Sequence, residues 1–158
     1  YAGYQGYAAA RNALFPGRVR GARMGVPWLV FTDPEVGQVG RTESEALERG
    51  ERVTVHRIPI EEVDRAQTTG QTQGFIKIVS RPAGQIIGGV AVAGNAGAII
   101  NELALAISRR VTLSELATTI HAYPSYGSGL QQLSSDAVMK ASMRGWKGRL
   151  LRAIARRG

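Results

Sequence analysis

Cysteine is missing from all 158 positions of the chain. Disulfides, thiolate-bound metals and any redox-active thiol pair are therefore excluded from these residues, while the compartment stays open. Imidazole is scarce as well, with His56 and His121 the two histidines. No apolar run approaches the ~20 residues that a helix needs to cross a bilayer, so no span is expected. Acidic residues are absent from position 140 onward, where Lys140, Arg144, Lys147, Arg149, Arg152, Arg156 and Arg157 stand. All 12 acids thus lie with the 13 remaining basic residues in the first 139 positions, and the formal charge of +8 is a property of the tail. The chain starts at Tyr1, directly in a helix-like pattern. A longer polypeptide continuing upstream is expected.

What is present suffices for one sizeable core, with 44% hydrophobic residues. Residues 2 to 15 read as a small-residue helix stopped by Pro16-Gly17, and the basic stretch 18 to 25 reads as a linker. Trp28 to Thr32 and Val36 to Val39 are short strand-like runs on either side of an Asp33-Pro34-Glu35 turn. Thr42-x-x-Glu45 has the spacing of a capping box, in which each side chain satisfies an orphan amide of the other's turn. It opens a helix over 43 to 49, with Gly50 as the stop. Arg52 to Ile58 alternates as a partly exposed strand. Gly74 to Val79 and Gln85 to Ala93 form an antiparallel hairpin about Ser80-Arg81-Pro82-Ala83-Gly84.

Asn95 caps a helix ending at Arg109-Arg110, with Ile99, Ile100, Leu103 and Ile107 on one stripe facing the hairpin. A second capping box, Thr112-x-x-Glu115, starts a short helix to about Thr119. Leu130, Leu133, Ala137, Val138 and Ala141 mark a last helix after a loop at 121 to 127. The pattern predicts an α+β fold, an antiparallel β-sheet flanked by helices. Two lookalike motifs are set aside. Gly88-Gly89 to Gly97 lacks the spacing of a dinucleotide fingerprint, and Ser128 lacks the glycines two residues away that a nucleophile elbow uses.

Pro27, Phe31-Thr32-x-Pro34-Glu35, Val39-Gly40-x-Thr42-x-x-Glu45-Ala46, Gly74-Phe75-x-Lys77 and Gly88-Gly89, closed by His121-Ala122-Tyr123-Pro124-Ser125, occur in this order. Together they resemble the C-terminal dimerisation (interface) domain of the pyridine nucleotide-disulfide oxidoreductase family, that of lipoamide dehydrogenase, glutathione reductase and mercuric reductase. The resemblance divides the chain into residues 1–17, similar to the last helix of that family's FAD domain, the linker 18–25, the dimerisation domain 26–142 and a basic tail 143–158. It implies a homodimer in which this domain forms the subunit interface and its loop completes the partner's flavin site. FAD and NAD(P)H are implied for the full-length cytoplasmic oxidoreductase. Neither is expected to bind these residues alone, which are expected to be inactive.

The family's loop carries a second histidine and, five residues later, a glutamate that orients it. Here those positions hold Tyr123 and Ser128. A phenol with a reference pKa of about 10 does not shuttle protons near neutral pH as an imidazole does, so the family's standard dithiol route is not expected. Mercuric reductase relatives are closer at Tyr123, yet their C-terminal cysteine pair is absent. Tyr123 is the candidate catalytic residue, and His121, through its backbone carbonyl, the candidate contact to the partner's flavin. Tyr126 is a further candidate donor to substrate or flavin, with packing against a partner subunit as the alternative. The Tyr123-Pro124 peptide is expected to be cis, as in the family's loop, and His56 is expected to be a surface residue. No metal site is expected. A different class of function comes from the tail, where Trp146, Leu150, Ala153 and Ile154 share one helical face amid basic residues; this would suit a nucleic acid or an anionic membrane surface, while the favoured reading is a helix that docks this face on its own domain with its charges solvated.

Overall fold

The structure, a computed structural model, describes residues 1–19 and 25–144. Most of the linker at 18–25 and of the tail at 143–158, with its amphipathic face, lies outside the described residues. After α1 (Ala2–Leu14) come β1 (Trp28–Val30), β2 (Glu35–Gly40), α2 (Glu43–Glu48), β3 (Thr54–Pro59), a 3-10 turn (Ile60–Glu62) and α3 (Asp64–Thr69). Then follow β4 (Phe75–Ser80), β5 (Ile86–Ala93), α4 (Ala96–Ser108), α5 (Leu113–Thr118) and α6 (Ser128–Arg144). The fold is α+β, as the pattern predicts, with one antiparallel sheet in the order β1-β2-β5-β4-β3.

The hairpin forms where turn chemistry places it. Ile76 pairs with Ala91 and Ile78 with Gly89, and the Arg81 amide closes the turn on the Gln85 carbonyl at 2.8 Å. Alternation then decides the faces. Ile58, Ile76, Ile78, Ala91 and Val39 point to a main core shared with α4, α5 and α6. Val79 and Ile87 point the other way, where they meet Ala46 of α2 together with Val53 and Val55. Arg41, Glu51 and Arg81 form an ionic link across the end of this second cluster.

The long helix lies in a trough made by missing side chains. A Cβ on Gly37 would come within 2.6 Å of Ile100, one on Gly89 within 2.6 Å of Leu103, and one on Gly40 within 2.9 Å of Ile107. Three members of the predicted apolar stripe thus each sit above a glycine of β2 or β5. At its start, α4 is capped by Asn95, whose Oδ1 accepts from Ala98 N–H at 3.4 Å, while the Glu35 carboxylate accepts from Gly97 N–H at 3.1 Å. Carboxylate oxygen already occupies the anion-favouring end of this helix, in keeping with the rejected phosphate motif.

Boundaries move by one or two residues from expectation, and the shifts have local causes. β1 ends at Val30 because Thr32 turns to give its hydroxyl to the Pro34 carbonyl, 2.7 Å away. α4 stops at Ser108 rather than at the arginine pair, because Arg110 takes a left-handed conformation (φ 58°) that sends the chain back to pair Val111 with Ile86. Residues 60 to 69 carry a 3-10 turn and α3 where no element was expected. Their anchors Ile60, Val63 and Ala66 are fully buried, too few for a recognisable stripe. His56 corrects the expectation of a surface residue. It is half-buried against α6, its Nε2 lies 3.1 Å from the Ser80 hydroxyl, and burial, then the charge of Lys140, push its imidazole below the ordinary range.

Both capping boxes form as the spacing dictates. Thr42 and Thr112 each accept from the amide three residues on, and Glu45 and Glu115 return the contact to the cap amides. The hydrogen bond from the Thr112 amide, then the one from its hydroxyl, hold the Glu115 carboxyl below the usual carboxylate range. A carboxyl lowered by folding stabilises above its unfolded value and loses that contribution as pH falls through the lowered folded one. Glu115→Gln is therefore expected to flatten the acid limb of a stability profile below about pH 4.5, read by urea denaturation at a series of pH values. Gly89→Ala is expected to cost about 1–3 kcal/mol by overpacking against Leu103. A double-mutant cycle with Leu103→Val should show the two changes costing less together than their sum; strict additivity would contradict the trough.

Candidate functional site on the loop between α5 and α6

α5 and α6 pack against each other, and the segment joining them, 119–127, is fixed at three points. His121 turns its ring inward, to a side chain only 9% exposed. Its Nε2 lies 2.7 Å from Glu102 Oε1 of α4 and its Nδ1 lies 2.9 Å from the Thr119 carbonyl. Both contacts hold the imidazole within its own subunit. With the imidazole committed in this way, only the backbone of His121 is left to face outward.

Tyr123 is the second point. It is 76% exposed, and its hydroxyl donates to Asp64 Oδ2 of α3 at 2.8 Å. That hydrogen bond, then the charge of the same carboxylate, hold the Tyr123 phenol above its ordinary range. The phenol therefore stays protonated through neutral pH, which agrees with the sequence argument that it is no substitute for an imidazole base. The Tyr123-Pro124 peptide is cis, as expected from the resemblance, and Asp33-Pro34 is cis as well.

Tyr126 is the third point, and it corrects an expectation. Instead of facing a substrate or a partner it is buried in its own subunit, 7% exposed. Its hydroxyl lies 3.0 Å from Gln71 Oε1 and 3.1 Å from Thr69 Oγ1, so the ring closes the core beneath α3. Ser128, at the position of the family's glutamate, does not approach Tyr123. Its hydroxyl donates to the Ser125 carbonyl at 2.6 Å and its amide to Ser125 Oγ at 3.2 Å, so it serves the first turn of α6. Sequence reasoning missed Asp64, and no signal across the 59-residue separation pointed to it.

The loop is distinct from the main cavity. That cavity, about 670 Å³, is walled by His56, Ser80, Thr112, Asp136 and Lys140, among others, and includes neither His121 nor Tyr123. Its lining comes from the start of α5 and from Leu133 onward in α6 rather than from the segment between the two helices. Among the described residues no group of three or more acidic or imidazole side chains is arranged to hold a metal.

The family model described as "Pyridine nucleotide-disulphide oxidoreductase, dimerisation domain" matches residues 26–134. The chain belongs to this family. A dihydrolipoyl dehydrogenase of Haloferax volcanii is 38% identical to the domain over 117 residues, 73% of the chain and 25% of the relative. A mercuric reductase of Shigella flexneri is 40% identical over 107 residues, 67% of the chain and 19% of the relative. Among solved structures, LpdA from Mycobacterium tuberculosis superposes with a TM-score of 0.78 at 32% identity, over 86% of this chain and 30% of that one. The chain thus spans about a quarter of the length of the curated relatives it matches. A dimerisation domain forms part of an oligomer, and among the described residues no helix is long and apolar enough to cross a membrane.

The anchoring of the loop can be checked directly. Glu102→Ala strands a ring N–H of a nearly buried imidazole and is expected to lower stability by about 1–3 kcal/mol in urea denaturation, with Glu102→Gln recovering part of the loss. Equal stability of the alanine variant would show that the contact to His121 does not hold the loop.

Proposed function

We infer that the domain closes a homodimer of an FAD- and NAD(P)H-dependent cytoplasmic oxidoreductase, and that its 119–127 loop forms one wall of the partner's flavin site. The observation that carries this reading is the pairing of an inward, doubly held His121 with an outward Tyr123 on a loop whose other aromatic, Tyr126, is locked in the core. Tyr123, 76% exposed, and Ile120, at 93%, give the loop an outward surface that suits a neighbouring subunit. An isologous two-fold contact lets the same loop serve each subunit's neighbour. Surface for that contact is at hand: Leu105 of α4 is exposed, and on the sheet face away from α4 the paired residues Val30, Val36, Val92 and Phe75 form an apolar row that is only partly covered.

Residues 1–17 fit the role of a last helix of the preceding FAD domain, residues 18–25 that of a linker, 26–142 that of the dimerisation domain and 143–158 that of a basic tail. The loop fits the edge of a cofactor rather than a whole dinucleotide. It offers the backbone carbonyl of His121 and the phenol of Tyr123, while the start of α4 already holds the Glu35 carboxylate. FAD would supply the relay of electrons between nicotinamide and substrate. Tyr123 then lines the pocket, excludes water and presents a neutral phenol, without taking a proton at neutral pH.

Hybrid dimers test the sharing. One subunit of the full-length protein carries Tyr123→Phe and the other a lesion in its own flavin-binding segment. Each doubly affected hybrid retains one site made of two intact halves, so about half of the wild-type activity per dimer is expected. A hybrid with no more than half of the activity of the Tyr123→Phe homodimer, or a full-length protein that sediments as a monomer, would overturn the reading.

A further inference from the structure

The family position for a loop-orienting carboxylate is occupied by Ser128, which is turned away, yet a carboxylate is present from elsewhere. Asp64 opens α3, and its Oδ2 lies 2.8 Å from the Tyr123 hydroxyl. The helix that carries it is well fixed. Val63 and Ala66 are fully buried on either side of Asp64, and Gly70 ends the helix in a left-handed turn (φ 70°). The other end of α3 grips the loop a second time, through Thr69 and Gln71 to Tyr126. Both ends of one short helix therefore hold the two tyrosines that bracket Pro124.

We propose that Asp64 is the positioning residue of Tyr123, holding the phenol by its single hydrogen so that it meets the neighbouring site as a fixed hydrogen-bond acceptor. This rests on the loop facing the partner's flavin site. A tyrosine has one O–H to give and two lone pairs with which to accept. Once the hydrogen is given to Asp64, the oxygen presents lone pairs, with a carboxylate charge directly behind them. Such a wall selects a ligand that brings an N–H, O–H or S–H, or a positive charge, and it disfavours an anion. No proton changes hands. The role differs in kind from that of an imidazole–glutamate pair, in which the ring accepts a proton from the substrate.

The test uses the full-length flavin-loaded dimer as wild type, Tyr123→Phe and Asp64→Asn, with Asp64→Ser where the asparagine variant does not fold. Two signals report on the tyrosine alone once the phenylalanine variant is subtracted: its phenolate absorption during an alkaline titration, and the Raman tyrosine doublet, whose intensity ratio separates a donating from an accepting phenol. In the wild type the phenolate midpoint is expected above that of a free phenol and the doublet to have the donor pattern. In Asp64→Asn the midpoint moves to lower pH and the donor pattern weakens. A midpoint and doublet unchanged by Asp64→Asn would overturn the assignment of Asp64. The visible flavin band, followed in the same titration, speaks to the other reading. If it carries the Tyr123 midpoint, the loop faces flavin; if Tyr123 responds to Asp64 while the flavin band does not follow, Asp64 keeps its role and the placement of the loop in the partner's site falls.

Discussion

The close seating of α4 on a strip of sheet without side chains is the constraint on which the rest of the molecule depends. Ile100, Leu103 and Ile107 can reach the sheet plane only because Gly37, Gly89 and Gly40 leave room there. From that seating follow the depth of the main core, the line on which α5 and α6 pack, and the position of Glu102, which projects from α4 towards the loop. A helix held one methyl further out would carry Glu102 with it. His121 would then lose its partner without any change in the loop's own sequence.

Much of this was legible because it is local. Two capping boxes, a turn rich in Pro and Gly, and apolar residues at helical or alternating spacing each act within a few residues, and the structure places them where the pattern did. Similarity to a known family could be read from short motifs for the same reason. What escaped was of another kind. α3 has six residues, and its N-cap, Val63, offers no side-chain hydrogen bond, so neither period nor punctuation announced it. The burial of Tyr126 and the half-burial of His56 are set by elements that meet only in the folded state, α3 in one case and α6 in the other.

The candidate site shows the same division. Tyr123 stood out as a departure from a family motif, and the carboxylate facing it holds its phenol above the ordinary range. Its orienting group could not be found by counting five positions along the chain, because Ser128 is used by the start of its own helix. The carboxylate comes from a different layer of the fold, 59 residues earlier. A partner absent from the motif along the chain can thus be met in space by a residue from another layer, as Asp64 meets Tyr123.

The three tethers of the loop have a bearing on how subunits come together. Fixing a backbone residue costs roughly 1–2 kcal/mol of conformational entropy, and for a floppy loop that cost would fall on the association step. With His121, Tyr123 and Tyr126 each bonded within their own subunit, the segment is shaped before any encounter. A neighbouring subunit docking here would meet a preformed relief, and the free energy of the contact would go into holding the subunits together rather than into moulding the loop.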